Sequence, residues 1–152
     1  MPTILLQTKI AASPEVVFDL SRSVDLHIES TRQTREEAIA GKTTGLMEMG
    51  DSVTWRAKHF GVWQKLTSRI TAFDRPHSFI DEMEKGIFKS FRHTHRFTSV
   101  KNGTLMEDVF EYESPLGWIG KLADKLFLET YMRRLLEKRN ETIKAHAGRK
   151  SQ

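Results

Sequence analysis

The sequence contains no cysteine among its 152 residues. This absence excludes a disulfide framework, a zinc site built on thiolates and a cysteine nucleophile. A glycine-rich phosphate loop, a G-x-S-x-G nucleophile turn and an H-E-x-x-H zinc motif are missing as well. Nothing in the sequence therefore supports nucleotide chemistry, serine hydrolysis or thermolysin-like proteolysis.

Long apolar segments are also absent. No stretch approaches the ~20 apolar residues that span a bilayer. The opening MPTILLQTKIAAS lacks the basic start and the unbroken apolar run of a secretory signal. We therefore expect a cytoplasmic protein and no integral membrane protein. The length fits one domain, which we place at residues 1–147, with residues 148–152 as a frayed tail.

Charge of one sign is only mildly in excess, since the formal net charge is +4. The excess lies at the C-terminal end, where the segment from Trp118 to Gln152 contains nine basic and four acidic residues. A basic helix could face nucleic acid or anionic lipid. A solvated helix face is the simpler interpretation of this charge density, so we predict no nucleic-acid partner.

The first third of the chain predicts a strand followed by two short helices. TILLQTKI, residues 3–10, has the composition of a strand. Ser13 is suited to cap a helix and Pro14 to occupy its first position. A second short helix is predicted from Asp25 to Ser30.

The middle of the chain, from Thr34 to Ser114, predicts about six strands. Turn signals separate them, such as the DRP that begins at Asp74 and the KNG that begins at Lys101. Short turns between strands predict antiparallel neighbours. The sheet would have about seven strands when the first strand is included.

A long helix is predicted from Trp118 to about His146, because this segment is rich in helix-forming residues. Apolar side chains recur along it at helical spacing. They are Leu122, Leu126, Phe127, Tyr131, Leu135 and Leu136. An antiparallel sheet has one face to cover, and this helix is the available cover. The fold class is therefore α+β.

The segment FRHTHRF, residues 91–97, poses the central question of function. Alternate side chains of a strand share a face, so His93 and His95 would point where Phe91 and Phe97 point. The opposite face is polar, because it carries arginine and threonine. The sequence therefore predicts two titratable rings in the interior.

The same alternation, applied to the other strands, predicts a largely apolar and aromatic interior with a few polar groups. Such a composition suits a small-molecule pocket. The predicted ligand-binding residues are Trp55, His59, Phe79, Asp81, Met83, Phe91, His93, His95, Phe97, Met106, Asp108, Phe110 and Tyr112. A one-residue bulge before His93 would reverse the faces of its strand.

Several interpretations of the inward polar groups remain open. They could form a filled core in which Asp108 and His95 satisfy each other, or they could orient a bound ligand. In a catalytic interpretation His95 is a general base oriented by Asp108, with Tyr112 as an oxyanion donor. A metal site would need a third ligand from His59 or Asp108. H-x-H alone is unspecific, so we predict neither metal nor cofactor.

The order of elements resembles the START-like helix-grip superfamily, also called SRPBCC. The resemblance is carried by SPEVVFDL near the start, by HTHRFTSVKNGTLMEDVFEYESPLG and by the closing helix LFLETYMRRLLEKRNETI. It is strongest to the small bacterial members described as polyketide cyclase/dehydrase-like. The resemblance implies a curved antiparallel sheet around a long C-terminal helix, with a cavity between them. It also implies a hydrophobic small-molecule ligand.

Three functions are compatible with this resemblance. We rank first the binding of an apolar or amphipathic molecule, such as a lipid, a polyketide or an aromatic compound. A cyclase, dehydratase or isomerase that uses His95 and Asp108 for proton transfer ranks second. A protein-interaction domain with a collapsed cavity ranks third. The sequence predicts no oligomeric state.

Overall fold

A computed structural model of the protein describes residues 2–114 and 127–150, with Lys150 described by its backbone alone. The strands and helices follow one another along the chain in the predicted order. They are β1 (Thr3–Ile10), α1 (Pro14–Ser21), α2 (Val24–Ser30), β2 (Glu37–Gly41), β3 (Ser52–His59), β4 (Val62–Asp74), β5 (Ser78–Lys85), β6 (Ser90–Val100), β7 (Gly103–Glu113) and α3 (Glu129–Lys150).

The seven strands form one antiparallel sheet in the order β1-β7-β6-β5-β4-β3-β2. This arrangement confirms the predicted α+β architecture. Each strand from β2 to β7 pairs with the strand next to it in sequence, whereas β1 pairs with β7, which is distant in sequence. The β3–β4 and β5–β6 connections therefore lie at one end of the sheet, and the β6–β7 turn lies at the other.

The two short helices begin where their capping residues predict. The Ser13 side chain accepts a hydrogen bond from the backbone N–H of Val16, and Pro14 takes the first turn of α1. The Ser23 side chain accepts from Leu26 at the start of α2. Each cap satisfies a backbone donor that the first helical turn leaves unpaired.

Strands β6 and β7 pair without a register shift, from Ser90 opposite Glu113 to Val100 opposite Gly103. Bulges interrupt the β2–β3 and β4–β5 pairs instead. The faces of β6 are therefore those that strict alternation predicts. The inward side chains of the two strands are all buried: Phe91, His93, His95, Phe97, Met106, Asp108, Phe110 and Tyr112.

The hairpin between β3 and β4 extends beyond its neighbour β5. Strand β4 pairs with β5 only from Thr67 onward, so residues 62–66 pair with β3 alone. The turn consists of Phe60 and Gly61, with φ angles of 52° and 78°. Two positive φ angles are characteristic of the type I′ turn that suits a two-residue hairpin loop.

The inner face of the sheet is covered in two parts. Helices α1 and α2 cover one part, where Phe18 packs edge-on against Phe73, Phe79 and Phe97 at centroid distances of 5.2–5.3 Å. A second apolar cluster lies apart from it and contains Leu136 of α3. The members of this second cluster are Ile4, Phe88, Phe91, Phe110, Tyr112 and Leu136.

Helix α3 packs against α1, α2 and β1. It continues to Lys150, whereas the sequence predicted its end near His146. Of its predicted apolar stripe, Leu136 is buried, but Phe127 is 68% exposed. Trp118, Leu122 and Leu126 lie outside the described residues. Among the described helices, none is long and apolar enough to cross a bilayer.

Candidate functional site

A cavity of about 230 Å³ lies between the inner face of the sheet and α3. Strands β3 to β7, both short helices and α3 contribute to its wall. One end reaches the buried Phe79 and Arg139, and the other reaches Phe60, which is 68% exposed. The cavity therefore runs from the core to a mouth beside the β3–β4 hairpin.

The histidines of β6 form the polar inner end of this cavity. Their rings lie 3.7 Å apart between centroids, at an angle of 30°. In the pairing register His95 faces Phe79 and Asp108, and His93 faces Asp81 and Phe110. Each ring nevertheless bonds to the diagonal carboxylate: His93 Nε2 is 2.8 Å from Asp108 and His95 Nε2 is 2.7 Å from Asp81. Such diagonal neighbours lie within reach of long side chains in an antiparallel pair.

Asp108 is the centre of a buried hydrogen-bond network with α3. Its Oδ2 accepts from Asn140 at 2.7 Å, and its Oδ1 lies 3.5 Å from Arg139. The Arg139 guanidinium also donates to Ser21 O at 3.1 Å and lies 3.4 Å from His95 Nδ1. Since buried polar groups need partners, this network explains how two histidines and a carboxylate are tolerated inside the protein.

The network determines the charge states of its members. Burial, followed by the nearby charge of His95, lowers the pKa of His93 to about 4. Burial alone would raise the pKa of Asp108, but the hydrogen bonds from His93 and His95 hold it well below its usual value. At Asp81 burial also acts to raise the pKa, but the hydrogen bond from His95 outweighs it and lowers the pKa below its usual value. His93 is therefore neutral at pH 7 and both carboxylates are ionised.

Asp81 differs from Asp108 because it faces the cavity. Its side chain is 20% exposed, whereas that of Asp108 is fully buried. Its Oδ2 is bonded to His95, and within residues 2–114 and 127–149 no donor bonds to its Oδ1. The inner end of the cavity thus presents an ionised acceptor with free capacity.

A second free acceptor lines the cavity nearer its mouth. The Oε1 of Gln64 is buried, and it has no hydrogen-bond partner in the described part of the chain. An unpaired buried acceptor costs about 1–3 kcal/mol of desolvation. A ligand with a hydrogen-bond donor would remove that cost.

The mouth of the cavity is aromatic. His59 Nδ1 and the Tyr131 hydroxyl lie 2.6 Å apart, and the Phe60 ring lies 4.5 Å from the Tyr131 ring. Burial lowers the pKa of His59 and raises the pKa of Tyr131. Both groups are therefore neutral at pH 7, and they give the mouth an amphipathic rim.

Three groups with metal-ligand chemistry come together at the inner end. One ligand atom each from Asp81, His93 and His95 lies within 4.8 Å of the others. The third group is Asp81, and not the His59 or Asp108 suggested by the sequence. The guanidinium of Arg139 lies 3.4 Å from His95. In the structure the Nε2 atoms of both histidines are bonded to carboxylates, so these three groups belong to the hydrogen-bond network.

The predicted ligand-binding residues divide into two groups. Eight of them line the cavity: Trp55, His59, Phe79, Asp81, Phe91, His93, His95 and Phe110. Five do not line it in the described structure: Met83, Phe97, Met106, Asp108 and Tyr112. An inward-facing side chain does not necessarily line the cavity, because α1 covers Phe97 and Met106 and α3 covers Asp108. Tyr112 is fully buried in the second apolar cluster.

The catalytic interpretation requires His95, Asp108 and Tyr112 to converge on a substrate. His95 lines the cavity, but Asp108 and Tyr112 do not. The predicted pairing of His95 with Asp108 is present, because His95 Nδ1 lies 3.3 Å from Asp108 Oδ1. The Nε2 of His95 is nevertheless bonded to Asp81, and Asp108 is also hydrogen-bonded to His93. The three predicted groups are therefore not assembled around the cavity.

Sequence reasoning missed Arg139, Asn140, Gln64 and Tyr131 as parts of the site. A signal for Asn140 existed, because Leu136, Asn140 and Ile143 follow each other at helical spacing. A polar residue in such a stripe faces the interior. No comparable sequence signal identified Gln64 as part of the site, because its inward position depends on how its strand pairs with the neighbouring strand.

Comparisons with known proteins agree with this fold. The family model described as polyketide cyclase/dehydrase and lipid transport matches residues 1–148. Among curated proteins, none matches the sequence. The structure is similar to protein TTHA0849 from Thermus thermophilus, with 20% identity, a TM-score of 0.75, and coverage of 96% of this chain and 99% of that one.

Two further solved structures are similar. Major latex-like protein 151 from Panax ginseng has 19% identity and a TM-score of 0.70, covering 96% of this chain and 97% of that one. Protein Ms6760 from Mycobacterium smegmatis has 19% identity and a TM-score of 0.68, covering 94% and 88%. At these identities the likeness shows the helix-grip fold.

Proposed function

Because the chain belongs to the polyketide cyclase/dehydrase and lipid transport family, we propose that it binds an apolar or amphipathic small molecule in the cavity between the sheet and α3. The observation that carries this proposal is the cavity itself, with a volume of about 230 Å³. An apolar cavity of about 150 Å³ already accommodates benzene. The space is therefore sufficient for a molecule with more than one ring.

The wall supports an amphipathic ligand. Its middle is formed by apolar side chains such as Trp55, Leu66 and Phe91. Its polar positions include Asp81 at the inner end and Gln64 nearer the mouth, and each offers a free acceptor oxygen. The ligand that matches them carries a hydroxyl or amino group and no carboxylate at its inner end, since a carboxylate would meet the ionised Asp81.

The binding test compares three probes of the same ring size by titration calorimetry at pH 7. They are 1-naphthol, which can donate a hydrogen bond, 1-methoxynaphthalene, which cannot, and 1-naphthoic acid, which is anionic. A hydrogen bond to a charged acceptor contributes about 1.5–3 kcal/mol, so 1-naphthol should bind at least about tenfold more tightly than the ether. The acid should bind most weakly.

Two variants locate the binding. Ala57→Phe fills the wall at a buried position that lines the cavity, and it should abolish binding. Ala145→Phe adds the same ring on the exposed side of α3 and should leave binding unchanged. Equal binding by both variants would contradict the proposal. A native mass spectrum of untagged protein should show a mass excess that denaturation removes, and fragmentation of that species would identify the natural ligand class.

A further inference from the structure

The β3–β4 hairpin displays an unusual set of exposed side chains beside the cavity mouth. Phe60 is 68% exposed, Val62 is 58% exposed and Trp63 is 40% exposed. Because this hairpin extends past β5, its tip is a two-stranded ribbon with no neighbouring strand on that side among the described residues. Val62 and Trp63 point to opposite faces of the hairpin, and the Arg56 guanidinium lies 4.0 Å over the Trp63 ring. Exposed apolar side chains on both faces of a hairpin tip typically mark a contact with a partner or a membrane.

The hairpin is also basic. From Ser52 to Phe73 there is no acidic residue, whereas four basic residues occur. Arg56 lies opposite Lys65 in the pairing register, and like charges in that position destabilise a strand pair. Both Lys58 and Lys65 are exposed, and within the described residues neither reaches a carboxylate at ion-pair distance. Arg56 and Arg69 pair with Glu37 and Glu84, so the positive charge that the described residues leave unneutralised lies on Lys58 and Lys65.

The residue at the tip, Phe60, has a backbone conformation that is unfavourable for a bulky side chain. Phe60 has a φ of 52°, and a bulky side chain in this left-handed region is an outlier. Asparagine before Gly61 would give the favoured Asn-Gly turn. A bulky ring at this position therefore serves something other than the stability of the turn.

We propose that the β3–β4 hairpin docks the protein on an anionic lipid bilayer, with Phe60, Val62 and Trp63 inserted at the interface and Lys58 and Lys65 on the headgroups. Aromatic side chains flanked by lysines suit the boundary between headgroups and acyl chains. Three apolar side chains are too few for the roughly 800 Å² per partner that a stable protein interface buries. A bilayer requires no such area, because binding adds shallow insertion to electrostatic attraction.

This docking would place the cavity mouth against the membrane. Phe60 belongs to both the hairpin tip and the cavity wall, and its ring packs on Tyr131 at the mouth. An apolar molecule could then pass between bilayer and cavity without crossing water. The same end of the sheet also carries Lys85, which is exposed and extends the basic surface beyond the hairpin.

The test is co-sedimentation with vesicles that contain no added ligand, so its result is independent of whether the cavity binds a probe. Vesicles of phosphatidylcholine are compared with vesicles of an equimolar phosphatidylcholine–phosphatidylglycerol mixture at low salt. We expect the wild-type protein to sediment with the mixed vesicles and to be released by salt, because surface charge attraction is screened. Failure to bind the mixed vesicles, or equal binding to both types, would overturn the proposal and leave an acidic protein as the partner to test.

Two pairs of variants make the assignment specific. Lys58→Glu with Lys65→Glu should weaken binding by at least about tenfold, since each basic residue near an anionic surface contributes measurably. Lys9→Glu with Lys101→Glu is the matched control, because both lysines are exposed and lie at the other end of the sheet, by the β6–β7 turn. Phe60→Asn should weaken vesicle binding while its urea midpoint stays at or above that of the wild type. Leu5→Ser removes another exposed apolar side chain, from β1, and should bind as the wild type does. Loss of binding in either control would refute the role of the hairpin.

Discussion

Acid should destabilise this protein through His93. In the unfolded chain a histidine titrates near pH 6.5, whereas burial lowers the pKa of His93 in the folded protein to about 4. Between these two values the unfolded state binds the proton and the folded state does not. Stability is therefore complete above pH 6.5 and falls as the pH approaches 4. The difference between a pKa of 6.5 and a pKa of about 4 corresponds to about 3 kcal/mol, and solvent screens it little because the side chain is only 7% exposed.

The His93→Gln variant isolates this contribution. Its amide can still donate a hydrogen bond to Asp108, but it takes up no proton in this range. Urea denaturation at pH 7 and at pH 4 gives the free energy of unfolding of both proteins. The wild type should lose about 3 kcal/mol more than the variant between these pH values.

The control is His77→Gln, which removes an exposed histidine from the β4–β5 turn. Its loss of stability between the two pH values should match that of the wild type. If His93→Gln and the wild type lose the same free energy, the neutral, buried state assigned to His93 is wrong.

Two further substitutions test the polar groups of the site. Gln64→Met removes the unpaired buried acceptor and should raise the free energy of unfolding by about 1 kcal/mol. It should also reduce the preference of the cavity for 1-naphthol over its ether. If Gln64 were purely structural, its replacement would lower the free energy of unfolding instead. Asp108→Asn leaves Arg139 buried without its carboxylate and should cost about 3 kcal/mol in urea denaturation; a loss below about 1 kcal/mol would show that the network contributes little.

The strands could be predicted from sequence because two local signals coincide in them. Alternating polarity defines the faces of β6 and β7, and the turn residues at Lys101 and Asn102 define their register. With no bulge in this pair, the inward position of His93 and His95 followed directly. The bulges in the β4–β5 pair left no comparable signal in the sequence.

The division between cavity and core could not be predicted in the same way. Phe91 and Phe97 occupy equivalent positions on one strand, yet Phe91 lines the cavity and Phe97 packs under α1. The placement of the helices decides this, and it depends on contacts far apart in sequence. Arg139 was misjudged for a related reason, since a basic residue in a charged helix is usually solvated, but this one is only 7% exposed.

The hydrogen bonds between α3 and the sheet restrict how the protein can adapt to ligands of different size. A slide of α3 by one turn, about 5.4 Å, would separate Asn140 from Asp108 and Arg139 from the Ser21 carbonyl. The helix is therefore anchored along its axis at its centre, while Ile143 and Ala147 hold its C-terminal half in the core. Larger ligands should therefore be accommodated at the mouth, with the inner end of the cavity acting as a rigid stop.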